Sequence, residues 1–291
     1  MNLPSSAKLN MEFHKVHGLA NDFLVIDAFK EADYGSLAIA ACARHTGVGA
    51  DGMLVLDRAQ IPEADFSLRF FNSDGSEAEM SGNGIRCAAA VLYHTGRANG
   101  PWLRFATLAG IKTLTLSARD GIRFDFEVVI GKPAFKPSEV PMNVSDNLER
   151  ILKYQLDVDG KKVEVTAVST GNPHCTVFVD DFDKIDWRHL GAKLESHPAF
   201  PKRTNVEFVR VVSPTEIETR FWERGVGETQ SSGTGSCGAT VASILNGKTG
   251  RRVTVHAKAG KLQVEWPENG RLKLTSTARV VAEGNYFESD E

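Results

Sequence analysis

Two short stretches, EMSGNGIRCAAAV at residues 79–91 and QSSGTGSCGATVA at residues 230–242, are nearly the same sequence written twice. Each places a serine before two closely spaced glycines and then runs into a segment of small and apolar residues. This pattern predicts a helix whose N-cap is the serine. Ser81 and Ser232 occupy these two positions and are 151 residues apart. The same spacing recurs elsewhere in the chain.

The repetition extends well beyond the two glycine-rich stretches. Three further pairs of segments recur at spacings of 149 to 151 residues: GLANDFLVID (18–27) and TGNPHCTVFVD (170–180), TLAGIKTLTL (107–116) and AKAGKLQVEW (257–266), and the turn signals at 120–121 and 269–270. Several landmarks at nearly one spacing indicate two homologous halves rather than one short repeated motif.

Both halves predict the same order of elements. An opening strand and a helical segment lead through further strands to the serine-headed helix, which ends at Gly96 or Gly247, and hairpin strands follow. The predicted fold class is α/β, with two pseudo-symmetric domains from an internal duplication, each a strand-rich, barrel-like sheet around a central helix. The predicted domains are residues 11–132, completed by the C-terminal strand 279–291, and residues 133–278. Residues 1–10 are expected to form a flexible tail.

The composition excludes several classes of function. The 291 residues carry a net charge of −3, which gives no electrostatic reason to expect nucleic acid or a membrane surface as a partner. No apolar run approaches the ~20 residues that a spanning helix needs, and the N-terminus lacks a signal-peptide pattern. The four cysteines lie far apart without a C-x-x-C pair: Cys42, Cys87, Cys175 and Cys237. They predict buried, reduced thiols of a cytoplasmic protein, with neither a metal site nor disulfides.

The paired helix starts indicate a site for a carboxylate. A helix N-terminus presents free N–H groups and positive charge, and two domains facing each other across a cleft would aim both ends at one point. Such donors stabilise the charge that develops when the α-proton of an amino acid is removed. Inverting the carbon needs one group to take the proton and another to deliver one from the opposite face. Residues 81 and 232 are therefore predicted to flank the reacting carbon.

Other polar residues extend the predicted site. Four asparagines lie beside predicted strand ends: Asn21, Asn72, Asn172 and Asn205. One turn asparagine needs no functional explanation, and Glu223 with Arg224 alone is compatible with an exposed ion pair. Together they predict a pocket for a second amino-acid head group, with Arg224 on its carboxylate and Glu223 on its ammonium. His174 follows Gly-Asn-Pro and is predicted to lie in a loop, which favours a functional role over a core position.

The chain resembles the diaminopimelate epimerase family. The resemblance rests on the following segments, which occur in the family's order between Met11 and the C-terminus: HGLANDF, GVGADG, FNSDGSEAEMSGNG, GNPHC, RTNVEF and WERGVGETQSSGTGSC. It implies two α/β domains with the active site in a cleft, a cytoplasmic homodimer and no cofactor. The implied reaction interconverts LL- and meso-diaminopimelate for lysine and peptidoglycan synthesis. Phenazine-biosynthesis isomerases share the duplicated fold, but GNPHC and ERGxGET fit the epimerases better.

The resemblance also implies roles for individual residues. Backbone N–H groups would hold the reacting carboxylate at Gly82, Asn83, Gly233 and Thr234, and Asn21 would help to fix the reacting end. The distal amino-acid group would be held by Asn72, Asn172, Asn205, Glu223 and Arg224. His174 and Glu223 would tune the two proton-transfer groups.

The two proton-transfer positions depart from the family, which has cysteine where this chain has Ser81 and Ser232. A thiol reaches its anion far more easily than a hydroxyl, which needs an adjacent base to act, so activity is expected to fall by ~10²–10⁴-fold. Three accounts stay open: an engineered double Cys→Ser form that holds substrate without turnover, a natural enzyme in which His174 or Glu223 takes a larger share, or a binding or altered-reaction relative. A purely structural role is disfavoured because the recognition residues are all present.

Overall fold

The computed structural model describes residues 10–29, 32–144 and 148–287. Its α-helices are α1 (Tyr34–Cys42), α2 (Gly82–His94), α3 (Trp187–Glu195) and α4 (Gly233–Leu245). Its strands up to the middle of the chain are β1 (Asn10–Gly18), β2 (Asn21–Asp27), β3 (Gly52–Arg58), β4 (Phe66–Asn72), β5 (Glu77–Ala78), β6 (Trp102–Thr107), β7 (Gly110–Asp120) and β8 (Arg123–Gly131). The remaining strands are β9 (Ile151–Val158), β10 (Lys161–Ser169), β11 (Pro173–Phe178), β12 (Asn205–Ser213), β13 (Glu216–Glu223), β14 (Gly227–Thr229), β15 (Arg252–Ala257), β16 (Gly260–Glu265) and β17 (Leu272–Phe287).

The chain divides into two compact units. Unit 1 holds the described residues up to Glu127 together with those from Thr277 onward, and unit 2 is Val128–Ser276. The expected domain limits, at 132/133 and 278/279, lie a few residues from these boundaries. Most of the expected tail, residues 1–9, lies outside the described residues, as do residues 288–291 of the expected closing strand. Asn10, expected in the tail, is instead the first residue of β1 and pairs with Phe287 of β17.

In unit 1, strand pairing closes into a ring of eight strands. The order around the ring is β1, β2, β3, β4, β6, β7, β8, β17 and back to β1. The pairs β2–β3 and β4–β6 run parallel. A closed ring leaves no unpaired edge among its strands. The predicted barrel-like sheet is confirmed for this half of the chain.

Helix α2 is the core of unit 1. Every residue from Gly84 to Tyr93 is buried, and the helix packs against strands β1 to β4. The run Ala88-Ala89-Ala90 has no exposed surface, because small side chains let the sheet approach the helix closely on several sides. A helix buried all round is expected to be apolar throughout, so the buried Arg86 in this helix is an exception.

Unit 2 has the same order of strands and a central helix of its own. Its strands pair in the order β9, β10, β11, β12, β13, β15, β16, β17. The parallel pairs, β11–β12 and β13–β15, are the counterparts of those in unit 1. Helix α4 is buried from Gly235 to Ser243 and, like α2, has 13 residues. Both helices are followed by a glycine with positive φ, 70° at Gly96 and 67° at Gly247, as the sequence predicted.

None of the helices in the described ranges is long and apolar enough to cross a membrane.

Candidate active site

The two central helices begin in the same way. The Ser81 hydroxyl oxygen accepts a hydrogen bond from the Gly84 N–H at 3.1 Å, and Ser232 accepts one from the Gly235 N–H at 3.1 Å. Both serines have extended backbone angles, which is the conformation of an N-cap. The predicted N-caps are therefore confirmed.

The second glycine of each motif is required by close packing. A Cβ added to Gly235 would lie 2.9 Å from a Phe221 ring carbon and 2.9 Å from the Ser232 oxygen. A Cβ on Gly84 would meet Leu54 and Phe70 at 3.1 Å. These glycines let the strand before each helix lie directly against its first turn. The N–H groups at helix positions 82, 83, 233 and 234 lack intrahelical acceptors, since the first four of any helix do, so each helix start can bind an anion.

In unit 2, the serine at the helix start is hydrogen-bonded to a carboxylate. The Ser232 hydroxyl donates to Oε1 of Glu223 at 2.7 Å. Glu223 is the last residue of β13, and Ser232 is only 6% exposed. A hydroxyl that is weak as a base gains reactivity when an adjacent group can take its proton. This pair has the contact that such activation needs.

In unit 1, the serine at the helix start has different neighbours. No described residue accepts the Ser81 hydroxyl hydrogen, and Ser81 is half-buried. Beneath the first turn of α2 lies Arg86, which is 4% exposed. It donates from Nη2 to Oδ1 of Asn83, and among the described residues it forms no ion pair. Burial lowers the pKa of the Arg86 guanidinium to about 10, so it remains charged at neutral pH.

Two predicted site residues of unit 1 are joined to each other. Nδ2 of Asn83 donates to Oδ1 of Asn21 at 3.2 Å, and Nδ2 of Asn21 donates to Oδ2 of Asp51 at 2.9 Å. Asp51 also pairs with Arg44 at 2.7 Å. Asn72, by contrast, is exposed at the end of β4, and its side chain donates to the hydroxyl of Ser76 at 2.9 Å within its own turn.

The sequence analysis expected His174 in a loop, and this prediction is wrong, because His174 lies in a strand. It is the second residue of β11, where it pairs with Val168 of β10 and with Asn205 of β12, and it has no exposed surface. The strand starts earlier than predicted because Pro173 already occupies a paired position next to β10. The side chain packs on helix α4, where a Cβ on Gly238 would lie 2.8 Å from it.

The buried histidine belongs to a short polar chain. Its Nδ1 lies 2.6 Å from Oε1 of Glu207, and its Nε2 lies 2.9 Å from Oδ1 of Asn172. Burial raises the pKa of Glu207, with the His174 charge acting in the opposite direction. With no surface of its own, His174 can reach a ligand only through Asn172. This favours a positioning role over direct contact.

Asn205 and Arg224 are linked through the backbone. Asn205 is 6% exposed; its Nδ2 donates to the Pro173 carbonyl at 2.9 Å, and its Oδ1 accepts the Arg224 N–H at 3.0 Å. The exposed Arg224 side chain donates to the Lys202 carbonyl at 3.1 Å. The turn after β13 is also held by Glu195, which accepts the Gly225 N–H at 2.7 Å. Asn205 thus ties the start of β11 to the turn after β13.

The structure joins most of the predicted residues in pairs: Asn21 with Asn83, Asn172 with His174, Asn205 with Arg224, and Glu223 with Ser232. Sequence reasoning missed four polar residues that hold these pairs: Asp51, Arg86, Glu195 and Glu207. Arg86 and Glu207 carried a usable signal, because each is a charged residue inside an otherwise apolar stretch. Asp51 lies in GVGADG, a segment of the family resemblance that by itself indicates no role for the aspartate.

The four cysteines offer no substitute for the missing thiols. All are buried. Burial raises the pKa of the Cys87 and Cys237 thiols to about 12, and it raises that of Cys175 well above its usual value. A thiol with so high a pKa stays protonated at pH 7. In the described ranges, no group of three or more potential ligands is arranged to hold a metal ion.

Comparison with known proteins points to one family. The family model for diaminopimelate epimerase matches residues 13–135 and 166–282. The diaminopimelate epimerase of Pelotomaculum thermopropionicum is 48% identical over 95% of this chain and 99% of its own length. That of Desulfitobacterium hafniense is 44% identical over 96% of this chain and 99% of its own.

A solved structure supports the same fold. The phenazine biosynthesis protein of the PhzF family from Bacillus anthracis superposes with a TM-score of 0.64, covering 96% of this chain and 99% of that one. Its sequence identity is 17%, so this likeness concerns the fold alone.

Proposed function

Because the chain belongs to the diaminopimelate epimerase family, a family of isomerases, we propose that it interconverts LL- and meso-diaminopimelate. Two relatives that are 48% and 44% identical, each matched over 99% of its length, are named diaminopimelate epimerase. The reaction removes the α-proton on one face of the carbon and returns a proton on the other. In this chain the two positions for those groups are Ser81 and Ser232.

The observation that carries the proposal is the hydrogen bond from Ser232 to Glu223. A serine at a helix N-terminus, with a carboxylate 2.7 Å away to take its proton, has the contacts of an assisted base. The N–H groups in the first turns of α2 and α4 would bind the carboxylate of the reacting centre and stabilise the charge that develops on it. On the opposite face, Ser81 would return the proton.

Substrate recognition falls to the remaining polar residues. Arg224 is exposed and can contact a carboxylate of the distal amino-acid group, and we propose that Asn72 and Asn172 bind the same group. His174 and Asn205 act indirectly, His174 by orienting the Asn172 amide and Asn205 by holding the Arg224 backbone. Glu223 serves the proton transfer rather than the distal ammonium, because its Oε1 is already engaged by Ser232.

A second candidate function is diaminopimelate binding without turnover. It is favoured by the two serines together with the raised pKa of the Cys87 and Cys237 thiols, since burial keeps these two thiols protonated near neutral pH. An engineered double Cys→Ser form and a natural binding relative would both behave in this way. Each keeps the recognition residues and loses the efficient acid and base.

Deuterium exchange separates the two functions. The protein is incubated in D₂O with LL- and then meso-diaminopimelate, α-proton loss is followed by NMR, and binding is measured by calorimetry. Exchange with interconversion of the isomers is the result expected for the enzyme. Binding without exchange supports the second candidate, and the absence of binding would overturn both.

The proposal includes the setting that the family implies. The protein would act in the cytoplasm without a cofactor, as a homodimer of two-domain chains, in lysine and peptidoglycan synthesis. Sedimentation velocity at micromolar concentration tests the dimer. A monomer with full activity would remove that part of the proposal and leave the reaction unaffected.

A further inference from the structure

A line of hydrogen bonds in unit 1 runs from a buried cation to a carboxylate through two amide side chains. Arg86 donates to Asn83, Asn83 donates to Asn21 at 3.2 Å, and Asn21 donates to Asp51 at 2.9 Å. Both asparagines were predicted to lie at the reacting end of the site. The two ends of the line, Arg86 and Asp51, had no assigned role.

The ends determine how both amides point. A guanidinium has only donors and a carboxylate only acceptors. Asn83 must therefore turn its oxygen towards Arg86, which leaves its NH₂ group facing Asn21. Asn21 must turn its NH₂ group towards Asp51, which leaves its oxygen to accept from Asn83. Either amide alone could take two orientations, but charged groups at both ends leave one.

The burial of Arg86 is hard to explain by stability alone. It is 4% exposed, its Nε has no hydrogen-bond partner, and no carboxylate among the described residues pairs with it. Burying an unpaired charge is strongly unfavourable. An anion bound at the start of α2 would supply the missing partner. A Cβ placed on Gly82, in the first turn, would lie 3.9 Å from Nη1 of Arg86, so the charge sits directly behind that turn.

The other half of the chain lacks this cation. Cys237 is 151 residues after Arg86 and therefore occupies the matching position of α4. The charge is thus not a requirement of the shared helix packing. It belongs to the α2 start alone.

We infer that Arg86 and Asp51 are positioning residues, which orient the Asn83 and Asn21 amides and place positive charge behind the helix start that receives the substrate carboxylate. This inference rests on the proposed function. It predicts that the line acts mainly on ligand binding and on proton exchange rather than on folding.

The test compares Arg86→Gln, Arg86→Lys and Asp51→Asn with the unchanged protein. Arg104→Gln is the matched control, because it removes an arginine of unit 1 whose partner is the half-buried Asp65 at 2.9 Å. The dissociation constant for meso-diaminopimelate is measured by calorimetry, the thermal midpoint by scanning calorimetry, and the side-chain amide signals of Asn21 and Asn83 by ¹⁵N NMR.

We expect Arg86→Gln to weaken binding by about tenfold or more, as loss of a charged hydrogen bond does. Arg86→Lys, which keeps the charge and one donor, should retain part of the affinity. Asp51→Asn should also weaken binding, and the double variant should lose less than the product of the two single effects, because both act through one line. Arg86→Gln and Asp51→Asn should each shift the side-chain amide signals of Asn21 and Asn83, and the Arg104→Gln control should shift neither signal.

The outcomes separate this inference from the proposed function. Binding by the unchanged protein together with equal binding by Arg86→Gln would overturn the inference and leave the function standing. Lower thermal midpoints with unchanged affinity would also overturn it, since they indicate a structural role. If the unchanged protein does not bind diaminopimelate, the proposed function fails. Unchanged Asn21 and Asn83 amide signals in Arg86→Gln and Asp51→Asn would overturn the orienting role, whether or not the unchanged protein binds the ligand.

Discussion

The starts of α2 and α4 share a backbone but differ in charge. Each helix has 13 residues and a serine N-cap, and a glycine in its first turn lets the preceding strand pack closely against it. Behind the first lies a buried guanidinium with two amides, and beside the second lies a carboxylate that accepts a hydrogen bond from the serine hydroxyl. Duplication supplied two equivalent helix starts, and substitutions at a few neighbouring positions made one cationic and the other anionic. In the proposed inversion each of these groups takes the proton in one direction of the reaction and gives it in the other.

Introducing thiols at the two serine positions gives the largest expected effect on activity. Ser81→Cys with Ser232→Cys should raise α-proton exchange by ~10²–10⁴-fold, since a thiol exchanges protons near neutral pH far more readily than a hydroxyl. Each single variant should accelerate exchange from one isomer more than from the other, because each group serves one face. NMR in D₂O with both isomers measures this. Equal acceleration of both isomers by both single variants would break the assignment of one group to each face.

The acidity of the new thiols should report the charge difference directly. The thiol introduced by Ser81→Cys lies near the helix N-terminus and Arg86, whereas that of Ser232→Cys lies beside the Glu223 carboxylate. We expect the pKa at position 81 to be lower by about one unit or more. Alkylation rate against pH gives both values, because the four native cysteines are buried. Adding Glu223→Gln should reduce the difference between the two pKa values. Equal pKa values with Glu223 in place would contradict the proposed difference in charge between the two helix starts.

Packing against the two helices should also differ. Gly238 of α4 faces His174, and the matching position in α2, 151 residues earlier, is the fully buried Cys87, which already carries a Cβ. Gly238→Ala forces the new methyl to within 2.8 Å of His174, so it should lower the free energy of unfolding by about 1–3 kcal/mol. Urea unfolding measures this. Gly250→Ala, where a Cβ finds only an ordinary contact at 3.7 Å, is the control and should change little.

The smallest expected effect is the pH dependence of stability, which should be similar for the two helices. Burial raises the pKa of the Cys87 and Cys237 thiols from 9.0 to about 12. Below pH 9 both the folded and the unfolded states hold these protons, and the stability contribution is complete. Between pH 9 and 12 the unfolded chain loses them first, so stability falls as pH rises. Urea midpoints at pH 8 and pH 10 should show this fall, reduced to a similar extent by Cys87→Ala and Cys237→Ala. Unequal reductions would indicate different surroundings.

Much of the fold was predictable because its signals are local. Serine N-caps, glycine after the last helical turn and the apolar alternation of β13 depend on residues a few positions apart, so the bounds of α2 and α4 follow closely from the sequence. His174 was misplaced for the opposite reason. Its strand is defined by pairing with β10 and β12, and the Gly-Asn-Pro before it carries the local signal of a turn.

The sequence by itself determined the duplication, the family and the two serine positions, since all three are written as repeated or matching residues along the chain. Only the tertiary structure decided the charge around each serine. Glu207 reaches His174 across 33 positions, and Asn83 reaches Asn21 across 62. Such contacts have no sequence periodicity to reveal them, because they arise where paired strands bring distant residues together. Whether a charge is buried, as for Arg86, depends on everything packed around it.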